Sequence, residues 1–201
     1  MCLLKASKRK KANKPIKCYK VMNLIDDKSL VVNSLIHPKG SGYSVGDIIH
    51  ASEKLSRYKF INRWKIDKLS ELNGEVVHSY ANSEDVNMYM SVYHHQPSVF
   101  PVVVECEIPK GETYWAGHML DVDQYGSLSL RIKKVYTKIW KVYFGAVSSY
   151  YVIAPMDFVT IDSLKSDLNP LKYQNYYVYE FDAVTGEEKF VYEHIVKFND
   201  I

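Results

Sequence analysis

The stretch VVVECEIPKGETYWAG, residues 102–117, decides how this chain is read. Val102, Val104, Cys106 and Ile108 alternate with Val103, Glu105 and Glu107, the period-two signature of a strand. Pro109 cannot donate to a ladder and Gly111 accepts the backbone of a tight corner, so the strand over 101–108 ends at Pro109-Lys110-Gly111. Tyr114 and Trp115 follow directly, placed either to line a pocket beyond the corner or to pack against it. Cys106 falls on the apolar side of the alternation and reads as a buried structural thiol.

Working outward, KCYKVM (17–22), SLVVNSLI (29–36), DIIH (47–50) and EVVHSY (75–80) read as strands. Asp26-Asp27 turn the first of them, and Pro38, Gly40, Gly42 and Gly46 mark a loop. Residues 53–72 are expected to be helical, as is SEDVNMYMSVY (83–93), where Ser83 caps a first turn holding Glu84 and Asp85. Downstream of the corner, HMLDVDQYGS (118–127) reads as a loop and LSLRIKKVY (128–136) as a strand. The aromatic and β-branched run over 138–155 reads as sheet. YYVYEFDA (176–183) and EKFVYEHIV (188–196) form a hairpin whose turn uses Gly186. The class is α+β and strand-dominated, a mixed or antiparallel sheet with one or two helices. The expected organisation is a basic flexible tail over 1–16, a main domain over 17–160 and a C-terminal hairpin element over 161–201, on or beside it.

Net charge is +3, from 26 basic and 23 acidic residues. Lys5, Lys8, Arg9, Lys10, Lys11, Lys14, Lys17 and Lys20 account for eight of the basic residues with no acid among them, so the rest of the chain is mildly acidic. Such a tail, with Lys8, Arg9, Lys10 and Lys11 at its centre, is either a solvated lead-in or a contact for nucleic acid or an acidic partner. Three cysteines without a Cys-x-x-Cys pair, and no secretory h-region, fit a reducing compartment. No run approaches a membrane span. These features point to a cytoplasmic protein with no membrane partner. The 17 tyrosines favour extensive sheet and a contact surface.

Motifs of high specificity are missing. His94, His95, His118 and Cys106 match no zinc spacing, and HPKGSGYSVG (37–46) lacks both the ending of a P-loop and the order of a dinucleotide fingerprint. The order of elements is more informative. A YKVM strand, a VVHSY strand leading into NSEDV, then VVVECEIPKGETYWAG and GSLSLRI together resemble the layout of the ADP-ribosyltransferase-like fold over residues 18–135. That resemblance implies NAD as cofactor, with Tyr19 or Lys20 where the nucleotide is held, Ser79 bracing the site beside His78, and Tyr80 stacking on a base. The family's catalytic Glu has no counterpart in DQYGSLSLRI; Asp123 stands nearest, and without such a carboxylate the main electrostatic contribution to catalysis is missing. VHSY and VECEIPKGETYWAG also resemble segments of small bacteriophage and gut-bacterial proteins, which implies a viral or mobile-element origin.

Three functions are therefore expected in order: binding of a protein partner through a tyrosine-rich sheet, in a host cytoplasm or a particle and with no cofactor; NAD-handling transferase chemistry; and nucleic-acid binding through the tail.

Overall fold

In a computed structural model of the chain, the described residues are 9–33, 42–51, 76–83, 86, 101–119, 122–144, 150–168 and 175–196. The helices expected over 53–72 and 83–93 lie outside them, apart from Ser83 and Val86. The described structure is strand-dominated, with antiparallel pairing wherever a register is defined and one short helix. The chain divides into two compact units, residues 1–20, 43–85 and 104–134 in the first and residues 21–42, 86–103 and 135–201 in the second.

The first unit contains β1 (Lys10–Lys11), the start of β2 (Ile16–Asp26), β4 (Ile48–His50), β5 (Val77–Tyr80), the end of β6 (Pro101–Ile108), β7 (Thr113–Met119), β8 (Val122–Ser127) and most of β9 (Ser129–Tyr136). Their order in the sheet is β1-β7-β8-β5-β2-β6-β9-β4. Cys18, Val77, Val104, Cys106, Ile108, Leu130 and Ile132 form its apolar interior. The expected corner is present: Gly111 has φ +84°, and Gly111 N–H donates to Ala12 carbonyl at 2.7 Å. Glu112 ties the corner to β9, since the Ser129 hydroxyl donates to its carboxylate.

Two expectations are corrected here. HMLDVDQYGS is not a loop; most of it is strand, in β7 and β8, and β8 lies between β7 and β5. Within the expected flexible tail, Lys10 and Lys11 pair with Tyr114 and Thr113 of β7, and Ala12 is buried.

In the second unit, the far end of β2 pairs with β3 (Val31–Asn33), and β10 (Lys138–Phe144), β11 (Tyr150–Pro155), β12 (Tyr176–Asp182) and β13 (Glu187–His194) form a four-stranded sheet in the order β11-β10-β12-β13. The expected hairpin is β12–β13, with Gly186 at φ +72° in its turn, and β12 pairs along the whole length of β10. Helix α1 (Ile161–Leu168) forms in a largely polar stretch that precedes Pro170. Ile161, Leu164 and Leu168 recur at i, i+3 and i+7, and the Thr160 hydroxyl accepts from Ser163 N–H at the helix start. This stripe joins Trp140, Val142, Tyr176 and Val178 on one side of the sheet, where the Trp140 indole N–H donates to Val159 carbonyl at 2.8 Å. A bulge interrupts the β12–β13 register: Val178 pairs with Tyr192 but Tyr179 pairs with Phe190, leaving Val191 as the extra residue.

Candidate functional site

Alternation across β5 determines which expected site residues meet. Tyr80 pairs with Tyr19 and with Gln124, and Gln124 pairs with Gly117, so these four residues share a face. The row of His78, Gly126 and Trp115 lies on that same face. Ser79, Tyr125 and Ala116 form the row between, on the other face, along with Asp123, His118 and Tyr114. The expected constellation around a single sugar is thereby divided. Ser79 and Asp123 lie on one face, His78 and Tyr80 on the other.

Burial sets the chemistry of each group. Tyr19, Ser79, Tyr80 and Gln124 are buried, whereas Tyr114 and Trp115 are half-buried. Tyr114 packs edge-to-face against Tyr125 at 5.9 Å between centroids. The Lys20 ammonium donates to His78 carbonyl at 2.9 Å, and burial holds the Lys20 pKa below its ordinary value. Burial, with Lys20 adding repulsion, drives the His78 pKa down to about 3. Burial also raises the Cys18 thiol to about 11 and pushes Cys106 up, so neither is a ready nucleophile. His78 Nδ1 and both amide atoms of Gln124 have no hydrogen-bond partner among the described residues, and Ser79 Oγ has only the weakly bonding Cys18 thiol beside it there.

Asp123 is exposed and pairs across β7–β8 with His118, Nδ1 to Oδ1 at 2.5 Å. Ala81, Ala116, Gly117, Gln124 and Tyr125 complete an open cavity of about 320 Å³ beside them. Sequence reasoning gives His118 no role with Asp123, because their meeting depends on the strand register of a segment that reads as loop. Such a pair can hold or pass a proton, but no activated nucleophile lines this cavity among the described residues. No group of three His, Cys, Asp or Glu side chains suited to a metal occurs among the described residues. Of the basic tail, Lys8 lies outside them; Arg9, Lys10 and Lys11 are exposed, and Lys11 donates to Gly111 carbonyl at 3.2 Å.

The second unit carries a different kind of surface, on the side of the sheet opposite α1. Tyr143 pairs with Tyr177, and Tyr177 with Glu193; Lys141 pairs with Tyr179, and Tyr179 with Phe190. The rings make a continuous edge-to-face ladder, Tyr143 to Tyr179 at 5.2 Å and Tyr179 to Phe190 at 5.6 Å. Phe190 is 51% exposed. The tyrosine count is the signal that anticipates this face; the positions follow only once the β12–β13 register is known. No helix among the described residues is long and apolar enough to cross a membrane. Comparison of the chain with family models, curated proteins and solved structures finds no match.

Proposed function

We propose that this chain acts by binding a protein partner through the aromatic face of β10, β12 and β13. The observation that carries this reading is the Tyr143–Tyr179–Phe190 ladder, which ends in a large apolar side chain half open to solvent. Tyrosine supplies broad contact area at low entropic cost, and its hydroxyl stays satisfied at a wet rim, so such residues anchor interfaces. A phage or mobile-element origin, with action in a host cytoplasm or a particle, fits a binding protein and is proposed with it. The test is a photo-crosslinking amino acid at position 190, with a control at position 123. Covalent capture of a protein from position 190 alone supports the reading; equal capture from both positions sinks it.

A second reading, nucleotide handling in the manner of ADP-ribosyltransferase-like proteins, draws on the Asp123–His118 pair beside its cavity. It requires that NAD or ADP-ribose raise the melting temperature and that Asp123→Asn abolish NAD turnover. The division of His78 and Tyr80 from Asp123 across the sheet weighs against it.

A further inference from the structure

The aromatic face of the second unit already holds one cation, and the way it does so indicates what else it can hold. Lys141 Nζ lies 3.4 Å from the Phe181 ring centroid and 2.5 Å from Glu188 Oε1, while the Tyr143 hydroxyl donates to the same carboxylate at 2.9 Å. The ammonium is thus gripped between the negative face of a ring and a carboxylate. Further along the same face these components recur, with no cation beside them among the described residues. Tyr177 and Glu193 are cross-strand partners, and the next pair is Tyr179 and Phe190. The bulge at Val191 puts Phe190 and Glu193 on one side although they stand three residues apart. Glu193 is exposed, and no cation is recorded at its carboxylate among the described residues.

We propose that the Tyr177–Glu193–Phe190 end of this face receives an arginine side chain from a protein partner. The proposal rests on the reading of the chain as a binding protein and supplies the chemistry of the partner. Arginine fits better than lysine because a planar guanidinium can stack on a tyrosine or phenylalanine ring while its fork meets a carboxylate. Charge complementarity points the same way. Among the described residues the face carries Glu188 and Glu193 against one lysine, Lys141, which is already engaged. A nucleic acid could stack its bases on these rings, but its phosphates would meet those carboxylates.

The experiment titrates the isotope-labelled full chain at low ionic strength with the hexapeptide Gly-Arg-Gly-Arg-Gly-Arg, then with the same peptide carrying citrulline for arginine. The arginine peptide is expected to shift the amide signals of Tyr177, Phe190 and Glu193. The citrulline peptide should bind about tenfold more weakly, and Glu193→Gln should weaken the arginine peptide by a similar factor. Glu193 is exposed, so that variant keeps the fold; Phe190→Ser provides a second, independent loss. Equal binding of the two peptides, an unchanged affinity in Glu193→Gln, or occupation of the same signals by oligouridylate overturns the proposal. Crosslinking from position 190 separates the two levels: capture that survives failure of the peptide leaves the binding-protein reading standing and removes only the arginine.

Discussion

Replacing Glu188 by alanine removes one half of an ion pair whose other half is out of reach of water. Lys141 is 7% exposed, and without Glu188 its ammonium loses the carboxylate that faces it beside the Phe181 ring. Breaking a buried pair from one side costs about 3–5 kcal/mol, whereas a fully exposed pair contributes less than about 1 kcal/mol. The Glu188 side chain is 32% exposed, so solvent screens part of the interaction, and the expected loss is about 2 kcal/mol. In a chain of 201 residues this lowers the melting temperature by about 4–8 °C. Lys141→Met is the informative companion. It removes the cation, keeps a stem against Phe181, and leaves Glu188 hydrated and still accepting from Tyr143, so its expected cost is below about 1 kcal/mol. Urea denaturation followed by near-ultraviolet circular dichroism measures both. If Lys141→Met costs as much as Glu188→Ala, the cation itself stabilises the fold, and the assignment of the carboxylate as compensation for its burial is refuted.

Further outcomes follow from the first unit and from a glycine of each unit. Because burial lowers the His78 pKa from 6.5 to about 3, the unfolded chain binds a proton that the folded chain refuses throughout that window. Stability is therefore full above pH 6.5 and falls as the pH drops towards 3, by up to about 1.4 kcal/mol per pH unit. Imidazole NMR signals of His78 should remain in the neutral form at about pH 4.5, and His78→Gln should flatten the acid limb; a titration midpoint near 6.5 would contradict this. Ser79→Ala should cost less than about 1 kcal/mol, because the group beside its buried hydroxyl is the Cys18 thiol, a weak hydrogen-bonding partner; a larger loss in a urea melt would reveal a stronger one. Gly111→Ala should cost about 1–2 kcal/mol from the positive φ alone, since an added Cβ would meet nothing there. Gly42→Ala should cost more in the same assay, because its Cβ would lie 2.7 Å from Ile25 and Val31 side chains and 2.8 Å from Val32 carbonyl.

Strands whose apolar residues alternate were legible in the sequence. Pro101–Ile108 spans the expected residues, and the β12–β13 hairpin forms around Gly186 as its turn chemistry requires. The strand at 122–127 was not legible because, beyond Val122, its buried positions carry polar side chains or none: Gln124 is 2% exposed, Ser127 0%, and Gly126 lies between. Buried amides and hydroxyls look like loop in any reading based on hydrophobicity. Helix α1 escaped for a different reason, since eight residues give only three apolar marks, and Asp162, Lys165 and Asp167 dilute them. The site residues were identifiable as types but not as a group. Ser79 and Tyr80 are adjacent in a segment that reads as a strand, so alternation alone puts them on opposite faces; that Asp123 falls on the face of Ser79, and Tyr19 and Gln124 on that of Tyr80, depends on strand registers that the sequence does not display.

Val191, the unpaired residue of the β13 bulge, has a consequence for how this sheet can change over time. With it in place, Phe190 and Glu193 lie together on the side away from α1, and Tyr192 points towards the helix. Deleting that one codon would restore an unbroken ladder and leave β13 one residue shorter. Phe190 and Glu193 would then stand two residues apart and, by ordinary alternation, would still share the side away from α1. What Val191 adds is a second apolar residue beside Tyr192 on the helix side, so a lineage could lose or regain it in a single deletion or insertion, changing the packing under the sheet while the aromatic face above keeps every one of its residues.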